Sequence, residues 1–545
     1  MRIDVESAFD FYDRAEELNR VGIALSREKD INRLLEIVLL AAKRITQADA
    51  GTLYRIEDAH LRFEIMRTDS LGIALGGTTG RPIQLDPIPL FNEKGQPNEA
   101  MVVAYAALRE STVNIADAYA VQGFDFSGTR SFDAKTGYRS QSFLTVPMKN
   151  HEDEVIGVLQ LINARDARTG EIIAFSEADQ RLAESLASQA AIVLTTRLLI
   201  SQLEQLFESF INLINAAIDD KSPYTGRHCE RVPALTMMLA EAAHASSDGA
   251  LREFIMTDTD RYELKIAGLL HDCGKITTPV HVVDKATKLE TIFDRIQLID
   301  TRFEVLKRDT QIAMLRGQIE AMERGDTAEV ARLSSQCQQV LADLSEEQTF
   351  LRHSNIGSEV MSVEDQERVR SIGAHRKWRN ERGEHTNVLS DEEMINLTIR
   401  SGTLTAAERQ IINHHIEVTI QMLESLPWPR HLRNVPEYAG GHHERMDGKG
   451  YPRGLTREQM SIPARIIGIA DIFEALTAAD RPYKKGKKLT EALAILGKLK
   501  VNNHIDPDLF DVFIREKVWL KFAHEFLDDE QIDEVDLSRI PGFRN

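Results

Sequence analysis

Five histidines and two aspartates in the second half of this chain stand in largely apolar sequence of helical period, far apart in order yet alike in setting. They are His228 in "YTGRHCERV", His271 and Asp272 in "IAGLLHDCGK", His415 in "INHHIEVT", His442 and His443 in "GGHHERMDGKGYP", and Asp471 in "RIIGIADIFEAL". An isolated carboxylate among apolar residues is costly unless it is paired or bound to a metal. The chain is therefore expected to fold so that helices distant in sequence bring these groups together. Taken singly, any of them is more often a satisfied core or surface residue. Taken together, they are hard to explain structurally. Imidazole with carboxylate, and no required thiolate, suits Fe, Mn, Zn or Ni. The set exceeds what one tetrahedral zinc needs and could supply two ions, with an aspartate bridging them.

Bulk properties narrow the function. At 545 residues the chain should hold two to four domains, taking about 150 residues for each. A net charge of −19 argues against long-range attraction to a nucleic-acid polymer. An anionic substrate would then need a local cluster of cations or metals. Basic residues outnumber acidic ones between Arg445 and Lys488, including "RPYKKGKK", although such a run alone reads as a solvated surface. No apolar run approaches the roughly 18–20 residues of a membrane span. The segment "MRIDVESAFDFYDR" lacks a secretion core and cleavage pattern. Three cysteines, Cys229, Cys273 and Cys337, make no disulfide framework. The expectation is a reduced, cytoplasmic protein without a membrane span.

The first third reads as mixed α/β. After an N-terminal helix over 1–26, "INRLLEIVLLAAKRITQA" is a helix leading into "AGTLYRIEDAHLRFEIMRT". There Leu61, Phe63 and Ile65 alternate with polar neighbours, as on one face of a half-buried strand. "SFLTVPMKN" and "VIGVLQLINA" are apolar segments around the turn-like "NHED". A helix restarts at "FSEADQRLAESLASQAAIVL", with Ser176 as N-cap and Asp179 in its first turn. The segment "LGGTTGRPIQLDPIP" is either a loop over a pocket or an exposed insertion.

Residues 27–199, from "ADAGTLY" to "GVLQLINARD…FSEADQ", resemble a GAF sensor domain, which implies an antiparallel sheet with helices. Asn163, Phe175 and Asp179 partly match the pattern of cyclic-nucleotide-binding members. Ala164 and Gln180 depart from it, so the resemblance names no GAF ligand. Over 184–215 the apolar positions Ile200, Leu203, Phe207, Phe210 and Ile214 follow a 3-4-3-4 spacing. That suits a parallel two-stranded coil and a homodimer through this connecting helix, or an amphipathic helix on its own domain. Within 291–403, two charged helical segments separated by "GD" suggest an antiparallel helical hairpin, with Asp326 and Glu329 spaced as a capping box. "GAHRKWRNERGEHTN" reads as loop, and the whole zone as an insertion.

"HDCGK" has the pattern HDxGK of the HD phosphohydrolase superfamily, and "HHERMDGKGYP" resembles the hallmark of its HD-GYP subfamily. The similarity also covers "YTGRHCERV", "LTAAERQIINHHIEVTIQMLESLPWP" and "IPARIIGIADIFEALTAADRPYKK". It implies an all-α HD-GYP domain over 216–520, interrupted by the insertion and followed by a tail over 521–545. It further implies hydrolysis of cyclic di-GMP to linear pGpG or GMP at a centre of two or three metals. By position, His228, His271, Asp272, His415, His442, His443 and Asp471 match metal ligands, Asp272 as the bridging carboxylate and a catalytic group. His414 is left as a bystander. Lys275 matches the catalytic HDxGK lysine, and Lys275, Arg481 and Lys484 match contacts to substrate phosphates. Tyr224 stands where three-metal members carry a glutamate, so two divalent ions, Fe or Mn, are expected. Asp447, Gly448, Gly450, Tyr451 and Pro452 would shape the adjoining loop. Cys273 reads as a small packing residue, with a redox role as the alternative.

The chemistry suits these roles, because two cations can clamp a phosphodiester and generate a nucleophile at neutral pH. Other readings keep the enzyme but change the substrate to another cyclic dinucleotide such as cyclic GMP-AMP. A different class would be a silent scaffold that binds the dinucleotide or a diguanylate cyclase (GGDEF) partner. All seven matched positions are intact, which favours an enzyme.

Overall fold

Helical period and caps place the first elements. In the computed structural model, which describes residues 5–221, 227–247, 249–357, 360–479 and 486–543, helix α1 spans Val5–Arg27 and α2 spans Ile31–Thr46. Asp30 caps α2 by accepting from the Arg33 amide at 2.8 Å, and Gln47 closes it in the left-handed region. Leu34, Leu35, Val38, Leu39, Ala42 and Ile45 recur on one face of α2 and are buried.

The chain divides after Phe207 into two units. The first holds strands β1 (Ala48–Glu57), β2 (His60–Thr68), β3 (Ile73–Gly76), β4 (Ile88–Pro89), β5 (Val113–Ile115), β6 (Phe143–Lys149), β7 (Val155–Arg165) and β8 (Ile172–Ile173). They form one antiparallel sheet in the order β3-β2-β1-β7-β6-β5, with β4 beside β2 and β8 beside β7. Helices α3 (Val102–Arg109) and α4 (Ser127–Thr136) lie between β4 and β6 in sequence. One face of the sheet packs with α1, α2 and the start of α5 (Glu177–Lys221). The other face packs with α3 through Tyr54, Leu61 and Val158, among others.

Two expectations for this unit change. Leu61 and Ile65 do not share a face: the register slips between Leu53 and Tyr54, which pair with Ile65 and Phe63. Glu64 is the extra residue of a bulge, so Leu61 joins the core under α3 while Ile65 joins the core under α2. The "LGGTTGRPIQLDPIP" segment is partly strand, contributing β3 and β4 to the sheet.

Helix α5 opens on a reciprocal cap, in which Ser176 Oγ accepts from the Asp179 amide and Asp179 accepts from the Ser176 amide. Its residues from Leu182 to Leu194 bury one face in the first unit. Among the described helices α5 alone is long and apolar enough, by length and composition, to cross a membrane. Further along, Leu199, Ile200, Leu203, Leu206, Phe210 and Leu213 are exposed, whereas Phe207 and Ile214 are half-buried. Of the expected seam, Ile200, Leu203 and Phe210 are exposed, while Ile211, Asn215 and Ile218 on another face of α5 are buried, Asn215 donating to the Leu269 carbonyl at 3.0 Å.

The second unit is built on α6 (His228–His244), α7 (Asp258–Leu270), the short α8 (Val280–Val283), α13 (Ala406–Glu424), α14 (Val435–Gly440), α15 (Ile462–Thr477), α16 (Leu489–Val501), α17 (Pro507–Arg515) and α18 (Val518–Phe526). Between α8 and α13 stand α9 (Ile296–Glu323), α10 (Thr327–Asn355), α11 (Val363–His375) and α12 (Asp391–Leu397), with a core of their own around Phe303, Leu344, Leu351 and Val369. Helices α9 and α10 pair along their length, and Asp326 caps α10 through the Glu329 amide.

The stretch expected as loop is instead the end of α11 and a hairpin of β9 (Lys377–Arg379) with β10 (His385–Asn387). Asn380 closes the hairpin by accepting from the Arg382 and Glu384 amides, with Gly383 at φ 80°. Residues 521–545, expected as a tail, begin inside α18, where Phe522 and Ala523 are fully buried, and Ile540 is buried farther on. The expected boundary after residue 520 thus falls within α18, six residues before its end at Phe526.

Candidate metal centre

Local sequence sets each donor at a helix end or on a buried helix face. Helix α7 begins with a reciprocal cap between Thr257 and Asp260 and runs apolar to its C-cap, His271, with Asp272 next. The following turn, Cys273–Thr277, is a 3-10 turn. His228 is the first residue of α6, His415 lies within α13, His442 and His443 follow α14, and Asp471 lies within α15.

Asp272 is the hub. Its Oδ2 lies 2.9 Å from His228 Nε2 and 3.3 Å from His271 Nε2. Its Oδ1 lies 3.2 Å from His415 Nε2 and 4.0 Å from His442 Nε2. His443 Nε2 is 3.2 Å from His415 Nε2. Two donor groups with a shared carboxylate result: His228, His271 and Asp272, and Asp272, His415, His442 and His443. Asp471 stands beside the first group, its Oδ1 3.5 Å from His228 Nε2. His414, by contrast, is exposed and pairs with Glu417.

Orientation is consistent across the imidazoles. His271 Nδ1 bonds the Gly268 carbonyl at 2.7 Å, His442 Nδ1 the Ala439 carbonyl at 2.6 Å, and His415 Nδ1 the Ile412 carbonyl. Each such bond turns Nε2 toward Asp272. His443 is stacked on the Tyr451 ring, with centroids 4.9 Å apart and planes at 18°. The loop bearing Tyr451 is pinned by the buried Glu444, which accepts from the Arg453 and Leu455 amides at 2.7 and 2.9 Å. Gly450 passes so close to Glu444 that a Cβ would fall 2.4 Å from its Cα.

Electrostatics follow from burial and these neighbours. Burial and the facing His271 push His442 down to about 4, and burial with His442 and His415 holds His443 well below the usual range. Both are therefore neutral at pH 7, the state that binds metal. Burial opposes ionisation of Asp272, yet Lys275 and His271 beside it hold its carboxyl well below the carboxylate range. Lys275 Nζ rests on Asp272 Oδ2. Cys273 is buried, and burial pushes its thiol up to about 11, so it carries no thiolate at neutral pH.

The donor set fits divalent ions. Among the described residues, Asp272 Oδ1 and His442 Nε2 are buried atoms with no hydrogen-bond partner, and unsatisfied buried polar atoms call for an ion or water. Arg481, Lys484 and Tyr224 lie outside the described residues.

Sequence reasoning missed two groups. "RIIGIADIFEAL" holds a second buried acid, Glu474, one turn after Asp471, and Glu474 bonds both His228 and Arg231. The i, i+3 spacing of two acids on an apolar helix was the available signal. Thr419, whose Oγ1 accepts from the Gly274 amide at 3.0 Å, carried no such signal.

Comparison with known proteins agrees with this anatomy. The family model described as GAF domain matches residues 30–194, and two described as HD domain match 225–343 and 359–509. A 3'3'-cGAMP-specific phosphodiesterase 1 of Vibrio cholerae is 48% identical over 81 residues, covering 15% of this chain and 19% of its own. A 3'3'-cGAMP-specific phosphodiesterase 3 of the same organism is 37% identical over 131 residues, covering 24% and 26%. A cyclic di-GMP phosphodiesterase of Pseudomonas aeruginosa is 37% identical over 116 residues, covering 21% and 27%. The chain thus matches under a third of the length of each of these relatives.

Proposed function

We propose that this chain, in which a GAF domain precedes an HD domain, is a metal-dependent phosphodiesterase of the HD-GYP type that hydrolyses cyclic di-GMP under the control of its GAF domain. The observation that carries the reading is the single carboxylate of Asp272 facing one histidine group with each oxygen. Two divalent ions, Fe or Mn, would be held by His228, His271, Asp272 and Asp471 on one side and by Asp272, His415, His442 and His443 on the other. When bound, such ions clamp a phosphodiester and supply a nucleophile from water at neutral pH.

The chain's own residues would do the rest. His442 and His443, held neutral chiefly by burial, keep their lone pairs free at neutral pH. Lys275 sits at the rim of the cluster, where its ammonium can offset charge gathering on a non-bridging phosphate oxygen. Arg481 and Lys484 are assigned the same task by their place in the motif. The product would be linear pGpG, GMP or both, in a cytoplasmic setting. A homodimer through α5 belongs to this reading: Leu199, Leu203, Leu206, Phe210 and Leu213 are exposed at a 4-3-4-3 spacing, which a parallel partner helix would cover.

Cyclic GMP-AMP is the second substrate reading, supported by the names of two of the Vibrio cholerae relatives. Purified protein loaded with Mn or Fe(II) under anaerobic, reducing conditions should be offered both dinucleotides. Faster conversion of cyclic di-GMP to the linear form is expected. No turnover of either at full metal occupancy would overturn the proposal and leave a binding or scaffold role.

A further inference from the structure

Three of the five clustered imidazoles are oriented by the chain immediately before them. His271, His415 and His442 each place Nδ1 on the carbonyl three residues back. A helix or its last turn provides that acceptor automatically, since its carbonyls point along the axis toward the following residues. His228 is the first residue of α6, and among the described residues no such carbonyl receives its Nδ1.

Its Nδ1 is met instead from another element. Glu474 Oε2 on α15 lies 2.6 Å from it, and Glu474 Oε1 accepts from Arg231 Nε at 2.6 Å. Arg231 stands one turn along α6 from His228, so the guanidinium that neutralises the carboxylate comes from the same helix as the imidazole. Glu474 and Arg231 are 2% and 4% exposed. Asp471, one turn before Glu474, meets the other nitrogen of the same ring at 3.5 Å. Helix α15 therefore offers a carboxylate to each nitrogen of His228.

We propose that Glu474 is a positioning residue for the metal centre, holding His228 with its proton on Nδ1 and Nε2 aimed at Asp272, so that the half-site of His228, His271 and Asp272 depends on it and the half-site of His415, His442 and His443 does not. This rests on the two-metal reading above. A carboxylate behind a ligating histidine fixes its tautomer and strengthens it as a donor, and losing one costs about 10–100-fold in metal affinity.

The test is Mn(II) titration of the full chain by electron paramagnetic resonance, with metal content by elemental analysis, for wild type, Glu474→Ala and Glu474→Gln. Wild type should show two classes of site. Glu474→Ala should weaken one class by about 10–100-fold and leave the other unchanged. Glu474→Gln keeps the volume and an oxygen acceptor for Nδ1, so it should fold and restore part of that loss. Two classes of unchanged affinity in Glu474→Gln and Glu474→Ala would overturn the inference. So would equal weakening of both classes together with a lowered unfolding temperature, the mark of a merely structural role. A wild-type chain that holds no metal would overturn the two-metal reading itself, and the inference with it.

Discussion

Gly274 lies against the backbone of His415 so closely that a Cβ on it would stand 2.0 Å from the His415 carbonyl oxygen and 2.7 Å from the Thr419 amide nitrogen. The Gly274 amide also donates to Thr419 Oγ1 at 3.0 Å. This contact docks the "HDCGK" turn on α13 and sets Asp272 Oδ1 beside His415 Nε2. The glycine of the motif is thus an approach distance, not a turn: it is not among the glycines with positive φ.

Gly274→Ala should therefore push α13 away from the turn, since backbone rather than a flexible side-chain end blocks the new methyl. A loss of about 1–3 kcal/mol or more is expected for such overpacking, read by thermal unfolding. The hydrolytic rate should fall with it, because Asp272 and His415 separate. Wild-type stability and rate together would refute the docking role.

Substitutions around Asp272 should sort by which oxygen they face. Asp272→Ala should remove both bound ions, His271→Ala chiefly one, and His443→Ala chiefly the other, as elemental analysis would show. Chelation should abolish turnover, and adding back Mn or Fe(II) should restore it. Loss of a single ion in Asp272→Ala would mean that the carboxylate does not bridge.

Lys288 offers a pH-dependent prediction away from the centre. Its side chain is fully buried, with Nζ 3.1 Å from the Leu397 carbonyl and 3.3 Å from Met361 Sδ. Burial pushes its pKa down to about 8 against the weak pull of Asp365. An unfolded lysine titrates near 10.4, so between these values the unfolded chain binds more protons and stability rises with pH. Lys288→Met should flatten that rise over pH 8–10.4 and stabilise the chain at pH 7 on the order of 2 kcal/mol. Urea unfolding at pH 7, 9 and 10.5 measures both, and an unchanged slope would sink the account.

The exposed stripe of α5 predicts an oligomeric state. Leu203→Glu with Phe210→Glu should convert a dimer to a monomer in analytical ultracentrifugation, because two charges would enter a coiled-coil seam. Circular dichroism should stay the same, since both side chains are already exposed at 63% and 56%. A monomer in the wild type would dismiss the seam.

Much of the chain was legible beforehand for reasons that are local. Helical period, the Ser176 and Asp326 caps and the histidine–aspartate motifs all act within a few residues, and each appears where its sequence places it. The bulge at Glu64 was not legible, because one extra residue in a strand is defined by its partner strand. Neither was the half-burial of Phe207 and Ile214 on α5, since which apolar residues stay uncovered depends on what packs around that helix.

The sequence by itself determined which groups could meet: short motifs carry the donors, and their chemistry follows from residue type. Only the tertiary structure decided how they meet. It decided that Asp272 turns one oxygen to each histidine group, that Gly274 serves closeness, and that His228, standing at a helix start, leans on Glu474 from a helix 246 residues further along the chain. Side-chain orientation at such a point is set by contacts across the fold, and no local pattern encodes it.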